Sequence, residues 1–192
     1  NQYGTLRPED YSSVAIADKE TAYQAVRHLI DNGHRRIATL VTCQDDCSIS
    51  QLRYEGYLQA LTEAGIEPDD SLVIRTGSFN IQGAYRAMQQ ALAQGSSFTA
   101  VFAISDNMAI GAMRALRETG RSVPEDCSVI AIDGIEVSDY IDPPLTTLCQ
   151  PMEEMGRHSV RILLDMVEGI HGNRHEVLPT VLRRGGSVKR LT

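Results

Sequence analysis

The chain has 192 residues, 42% of them hydrophobic, which is enough for one large or two small domains with a sizeable core. Its formal net charge of −7 gives no broad basic surface and disfavours direct binding of this chain to nucleic acid. No apolar run is long enough to span a membrane and residues 1–20 lack the pattern of a signal peptide, so we expect a cytoplasmic protein without membrane contact.

Strand and helix patterns alternate along the first half of the chain. Residues 14–17 are predicted to form a strand that ends at Asp18, the expected N-cap of a helix running to Asn32. The other elements predicted in this half are a strand at 37–41, a helix at 51–64, a strand at 72–74 and a helix that starts near Ile81 and ends at Gly95.

The second half continues this alternation around two short apolar strands. Residues 100–104 and 129–132 are runs of the kind buried on both faces of a parallel sheet, and an amphipathic helix lies between them. A strand at 145–148, a helix at 152–167 and a last strand at 177–182 follow. The alternation predicts an α/β fold with doubly wound parallel sheets.

Polar side chains stand where the predicted strands end. Ser105 and Asp106 follow one apolar strand, and Asp133 follows the next. Ligands of open α/β sheets bind outside the carboxyl ends of the strands, so these residues are expected at a cleft, together with Arg53 and Phe79. Arginine and aspartate bind neighbouring hydroxyls and an aromatic ring covers the apolar side of a sugar, so this mixture indicates a polyol ligand.

Three of these residues also have ordinary structural interpretations. Asp106 precedes an apolar-periodic helix and is expected to cap it rather than to contact a ligand. Phe79 is also compatible with a core position, and Arg53, inside a predicted helix, with a solvated surface position. Asp133 differs, because it directly follows an apolar strand and precedes a glycine.

No catalytic or metal-binding pattern is present in the sequence. Motifs for phosphate loops, zinc proteases and nucleophile elbows are absent, so we expect neither enzyme activity nor a cofactor. An α/β enzyme with Asp133 or Asp106 as acid or base is an alternative, but no partner residue is spaced for it. The cysteines lack zinc-site spacing, so no metal is expected. Reduced thiols are predicted at Cys43, Cys47, Cys127 and Cys149.

Five segments resemble, in order and spacing, the effector-binding domain of the LacI/GalR family of bacterial transcriptional regulators. They are GHRRIATL at 33–40, RYEGYLQAL at 53–61, FAISDNMAIGAMRAL at 102–116, VPEDCSVIAID at 123–133 and DPPLTTLCQPMEEMG at 142–156. The resemblance implies a two-lobed fold like that of type I periplasmic binding proteins. A small sugar or nucleoside effector would lie between the lobes and change how an attached helix-turn-helix head binds operator DNA.

The resemblance also implies roles for individual residues. Ser105 stands where the family more often has asparagine, and Gly134 replaces a frequent second aspartate, so the preferred effector need not be the family's commonest sugar. Asp106 is implied to hold the strand-to-helix turn together at the cleft. The residues implied to lie at the effector site are Arg53, Phe79, Ser105, Asp133, Gln150, Asp18 and Glu20.

The resemblance further implies an N-terminally truncated effector domain. Residues 1–34 and 150–178 are assigned to an incomplete N-terminal lobe, and residues 35–149 and 179–192 to the C-terminal lobe. The DNA-binding head is expected to be absent from the chain, so operator DNA is a partner only through that missing helix-turn-helix.

A homodimer is implied as well, with an interface that includes Tyr85, Ile110 and Tyr140. Ordinary core packing is the alternative for these three side chains. A solute-binding protein of a sugar transporter shares the implied fold and is the alternative function. It would carry an export signal upstream, whereas a regulator would carry the DNA-binding head.

Overall fold

A computed structural model describes residues 10–42, 48–170 and 172–191 of the chain. The strands are β1 (Ser13–Ile16), β2 (Ile37–Val41), β3 (Val73–Arg75), β4 (Ala100–Ala103), β5 (Ser128–Asp133), β6 (Thr146–Cys149), β7 (His175–Leu178) and β8 (Val181–Arg183). The helices are α1 (Asp18–Asp31), α2 (Ser48–Glu63), α3 (Ile81–Ala93), α4 (Asp106–Glu118) and α5 (Met152–Val167). Of the helices described, none has the length and apolar character needed to cross a membrane.

Six strands form the main sheet, in the order β3-β2-β4-β5-β6-β8. All neighbours run parallel except β6 and β8, which are antiparallel. Strands β2 and β4 are buried at every position, as parallel strands are when helices cover both faces. The carboxyl ends of β2, β4 and β5 therefore meet along one edge of the sheet, where switch-point ligands bind.

Helices cover both faces of the main sheet. The chain moves in opposite directions across the sheet from β2 to β3 and from β4 to β5, so right-handed crossovers place α2 on one face and α3 and α4 on the other. Helix α1 packs against α2 and β5. The apolar stripe predicted for it is buried there, at Ala22, Ala25, Val26, Leu29 and Ile30.

The position of α1 differs from the predicted division of the chain. A lobe boundary at residue 34 places this helix with the first lobe. In the structure α1 lies on the main sheet, because its apolar stripe covers α2 and β5. Strand β1 belongs to a second, smaller sheet, so the chain first passes from one sheet to the other at Ala17, immediately after β1.

A second, smaller sheet consists of β1 and β7, which pair in parallel, and α5 packs against β1. The single strand predicted at 177–182 is wrong, because the chain leaves β7 at Leu178 and enters the main sheet as β8 at Val181. Pro179 lies between the two strands, and proline has no N–H to donate to a strand ladder. Besides this passage and the one at Ala17, the chain passes between the sheets at residues 150–151.

Each helix pair on the main sheet crosses at a glycine. A Cβ at Gly56 of α2 would lie 2.1 Å from the carbonyl oxygen of Lys19, and one at Gly111 of α4 would lie 2.2 Å from that of Ile81. These distances are far below van der Waals contact, so only glycine lets the helices approach this closely. Gly156 on α5 is different, since nothing lies within 4 Å of a Cβ placed there.

We expect Gly111→Ala to lower the free energy of unfolding by about 1–3 kcal/mol, because the added methyl group forces α4 away from α3. Urea unfolding followed by circular dichroism measures this change. Gly156→Ala is the matched control and should raise stability by about 0.5–1 kcal/mol, since alanine is the better helix former and meets no neighbour. Equal stability of the Gly111→Ala variant and the parent would contradict the close packing of α3 and α4.

Candidate ligand-binding site

A cleft of about 710 Å³ opens at the carboxyl ends of the main-sheet strands. This volume lies within the usual range for small-molecule sites. Its lining combines a guanidinium, a carboxylate, amides, hydroxyls and one aromatic ring. The lining residues are Thr42, Ile49, Arg53, Gly77, Ser78, Phe79, Ser105, Asn107, Asp133 and Gln150.

Arg53 is buried at the base of the cleft, with 4% of its surface exposed. The alternative interpretation as a solvated surface arginine is therefore wrong. Its Nε donates to Oδ1 of Asp18 at 2.7 Å, and Nη1 donates to the carbonyl oxygen of Ile104 and, at 3.4 Å, to Oδ1 of Asp133. These oxygens compensate the buried charge, and they fix the guanidinium plane relative to β4 and β5.

Asp133 ends β5 with an unusual backbone conformation. Its φ is 137°, in the range that side-chain-bearing residues rarely adopt, at a cost of about 1–3 kcal/mol. Gln150 holds it from both ends, because Nε2 of Gln150 donates to Oδ1 at 2.7 Å and the Gln150 backbone N–H donates to the Asp133 carbonyl at 2.9 Å. Burial raises the pKa of the Asp133 carboxyl, while the charge of Arg53 opposes the rise.

Asp106 lies beneath the cleft and is fully buried. Its Oδ2 accepts from the backbone N–H groups of Gly134 and Ile135 at 3.0 and 2.9 Å and from the Ser138 hydroxyl at 2.9 Å. Its Oδ1 accepts from the Thr147 hydroxyl at 2.6 Å. Burial raises the pKa of Asp106, and these hydrogen bonds oppose the rise. The carboxylate thus ties the start of α4 to the loop after β5 and to β6.

Two helix caps differ from the predictions. Ser105, not Asp106, is the N-cap of α4, and its hydroxyl accepts from the Met108 backbone N–H. Asp106 does not cap the helix because its carboxylate is directed toward the donors after β5. The N-cap of α1 is Ala17, and Asp18 is the first helical residue. Its side chain binds Arg53 instead of the helix backbone.

The predicted site residues divide into three groups in the structure. Phe79 and Ser105 line the cleft with Arg53, Asp133 and Gln150, and the Phe79 ring also packs against the core. Asp18 lies behind Arg53. Glu20 is exposed on α1, accepts from the Gln24 amide at 3.0 Å and does not line the cleft.

Five lining residues were not predicted as site residues. Thr42 directly follows β2, so the same strand-end rule that indicates Ser105 and Asp133 also indicates Thr42. Asn107 is exposed in the first turn of α4, beside the predicted Ser105. The sequence carries no comparable signal for the other three, which are Ile49, Gly77 and Ser78.

The described cysteines are not part of the cleft lining. Cys127 and Cys149 are free thiols, and burial raises the pKa of Cys127 to about 12, so it stays protonated at neutral pH. Cys43 and Cys47 lie outside the described residues. Within the described ranges, no group of three or more acidic, histidine or cysteine side chains is placed to hold a metal ion.

We expect Asp106→Ala to lower the free energy of unfolding by about 3 kcal/mol or more, because it leaves buried donors without an acceptor. Asp106→Asn is the matched control and should cost only about 1 kcal/mol, since its amide oxygen replaces Oδ2 and its NH₂ group donates to the Thr147 hydroxyl. Denaturant unfolding of the three proteins measures both changes.

The pH dependence of stability gives a second comparison of the parent protein with Asp106→Asn. Because the pKa of Asp106 is raised in the folded state, the folded protein binds this proton more readily than the unfolded chain does. Lowering the pH through the raised pKa toward 3.8, the ordinary value, should therefore stabilise the parent protein relative to Asp106→Asn. Parallel stability profiles for the two proteins would contradict a raised pKa.

Sequence comparison relates the chain to known regulators. Residues 26–188 match the family described as Periplasmic binding protein-like domain. The HTH-type transcriptional repressor CytR of Escherichia coli K12 is 37% identical over 180 residues, 93% of this chain and 52% of CytR. The HTH-type transcriptional regulator CelR of Thermobifida fusca is 41% identical over 161 residues, 84% of this chain and 47% of CelR. The chain thus spans about half the length of the curated relatives it matches.

Solved structures give the same relationship. A complex of the transcriptional regulator CelR with cellobiose has a TM-score of 0.89 at 38% identity, over 96% of this chain and 56% of that chain. A LacI family transcriptional regulator from Enterococcus faecium with bound ribose has a TM-score of 0.86 at 34% identity, over 94% of this chain and 67% of that chain. These relatives are named as transcriptional regulators, and the predicted α/β fold and family resemblance are confirmed. The chain belongs to the LacI family of transcriptional regulators and contains its periplasmic-binding-protein-like domain.

Proposed function

We propose that this chain is the effector-sensing part of a LacI-type transcriptional repressor. It binds a small sugar or nucleoside in the cleft and thereby controls operator DNA binding by a head outside this sequence. The observation that carries the proposal is the Arg53–Asp133 pair, which faces the cleft beside the Phe79 ring.

The free atoms of this pair suit neighbouring hydroxyl groups. Within the described residues, Nη2 of Arg53 and Oδ2 of Asp133 make no hydrogen bond, so one donor group and one acceptor are left for a ligand. A sugar hydroxyl both donates and accepts, and Phe79 supplies an apolar surface for the C–H face of a ring. Relatives with cellobiose and with ribose in their structures support a sugar as the ligand.

The same side chains connect the cleft to the passages between the two sheets. Asp18 lies directly after the first passage and binds Arg53, while Gln150 begins the second and binds Asp133. A ligand that changes the positions of Arg53 and Asp133 therefore also displaces the chain at these two passages. It thereby favours one arrangement of the lobes over another. This is the differential interaction that a population shift between lobe arrangements requires.

The two alternative functions have less support. A solute-binding protein of a sugar transporter would share the fold, but the relatives described above are named as transcriptional regulators. An enzyme that uses Asp133 or Asp106 as acid or base would need an accessible proton-transfer group. Asp106 is fully buried and already accepts four hydrogen bonds. Among the described residues that line the cleft, no second carboxyl, histidine or thiol accompanies Asp133 as its acid or base partner.

Among neutral monosaccharides, disaccharides and nucleosides, we expect one chemical class to raise the melting temperature of the chain by mass action. Arg53→Lys should then weaken binding by about 1.5–3 kcal/mol, because a lysine ammonium cannot reproduce the planar donor geometry that bridges Asp18, Asp133 and the ligand. Isothermal titration calorimetry with the ligand identified by the melting screen measures the difference.

Arg86→Lys is the matched control, since Arg86 is exposed on α3 and does not line the cleft. It should bind the ligand as the parent protein does. If no class of probe binds a chain that unfolds cooperatively, the proposed function is contradicted.

We also propose that the protein forms a homodimer through a surface that includes Tyr85, Ile110 and Tyr140. Tyr140 is 80% exposed, which is unusual for a tyrosine and argues against core packing of this residue. Tyr85 and Ile110 are half-buried on the adjacent helices α3 and α4. The Tyr85 ring is already ordered, because its hydroxyl donates to Glu118.

We expect Tyr140→Lys to shift the protein from dimer to monomer at tens of micromolar, because a lysine charge at the centre of an interface must be desolvated. Multi-angle light scattering measures the mass. The control is Gln59→Lys, an exposed position on α2 that adds the same charge and should remain dimeric. A parent protein that is monomeric in this range would remove the proposed interface.

A further inference from the structure

Groups that often bind anions lie in and beneath the cleft, and in each of them the protein already supplies an oxygen as acceptor. Arg53 is the first. Three of its hydrogen bonds go to Asp18, Ile104 and Asp133, which leaves a single NH₂ group toward the cleft. A phosphate would have to share the guanidinium with two carboxylates that are already in place.

The backbone N–H groups after β5 are the second element. Consecutive amides at Gly134 and Ile135 form the kind of donor pair that binds phosphate in many proteins. Here both donate to Oδ2 of Asp106, at 3.0 and 2.9 Å. Asp106 is therefore an internal anion that occupies the place an external one would take.

The helix N-termini that follow β3 and β4 are the third element. Such termini attract anions through their free N–H groups and the helix dipole. The Asn80 side chain accepts from the Gly83 N–H at 2.7 Å in α3, and the Ser105 hydroxyl accepts from the Met108 N–H in α4. Asp106 adds a negative charge to the first turn of α4.

The charges of the cleft also disfavour a bound phosphate. Among the described residues that line it, Arg53 is the one cationic side chain and Asp133 the one anionic. Asp18 pairs with Arg53, and Asp106 binds the two amides that directly follow Asp133, so three carboxyl groups lie at or behind the cleft with one guanidinium. A phosphate monoester carries about −1.5 to −2 charges at pH 7 and would be both desolvated and repelled here.

We propose that this cleft accepts uncharged polyols and rejects their phosphorylated forms, an inference that rests on the proposed function. The specificity comes from acceptors that the protein itself supplies, namely Asp18 on Arg53 and Asp106 on the amides after β5. A neutral hydroxyl pair needs only the free Nη2 group of Arg53 and the free Oδ2 of Asp133. A phosphate must displace protein carboxylates to obtain comparable partners.

The test compares matched pairs of ligands by isothermal titration calorimetry at neutral pH. The probes are ribose and ribose 5-phosphate, glucose and glucose 6-phosphate, adenosine and adenosine monophosphate, and the same pair for whichever neutral sugar the melting screen identifies. We expect each neutral compound that binds to do so at least about tenfold more tightly than its monophosphate, because like charges held in contact are strongly unfavourable.

Asp18→Asn tests the cause of the discrimination. The amide oxygen still accepts from Nε of Arg53, but one negative charge behind the guanidinium is lost, so the neutral-to-phosphorylated affinity ratio should fall by about threefold or more. Asp31→Asn is the control on the same helix, with an exposed carboxylate that pairs with Arg27, and should leave the ratio unchanged. An unchanged ratio in Asp18→Asn would contradict the electrostatic cause.

The remaining outcomes separate this inference from the proposed function. A monophosphate that binds as tightly as its neutral partner overturns the inference and leaves the proposed function intact. If no probe binds to a cooperatively folded chain, the proposed function fails and the inference fails with it.

Discussion

The buried guanidinium of Arg53 is the interaction on which the rest of the site depends. It lies between Asp18 at the start of α1, the end of β4 and Asp133 at the end of β5. Removing one partner of a buried ion pair costs about 3–5 kcal/mol, because the other charge is left without compensation. This cost keeps the three elements in a fixed arrangement around the cleft.

Asp106 forms a second network that supports the first from below. It accepts from the two amides that directly follow Asp133, so it restrains the chain where the β5 backbone has a φ of 137°. Arg183 of β8 extends this network, because it donates to the Ser138 hydroxyl and binds Asp139 at 2.8 Å. The conformation of Asp133 is thus held by contacts from the cleft side and from the core side, which is how a strained residue persists at a functional site.

The placement of these networks explains why the fold suits a sensor. Arg53 and Asp133 in the cleft are hydrogen-bonded to residues at two of the passages between the sheets, so the proposed ligand contacts and the arrangement of the lobes share these hydrogen bonds. The close approach of the helices at Gly56 and Gly111 keeps the main sheet and its helices as one packed unit. Movement is therefore expected at the passages rather than within this unit.

The sequence by itself determined the alternation of strands and helices, the strand ends that carry Ser105 and Asp133, and the family, because apolar periodicity and ordered motifs are local properties of the chain. It could not determine that Arg53 is buried, that Asp106 serves the loop after β5 instead of its own helix, or that Glu20 lies outside the cleft. It also could not divide residues 177–182 between two sheets or place α1 on the main sheet. Only the tertiary structure decided these points, because each depends on partners that are distant in the sequence and on which faces the packed elements present to one another.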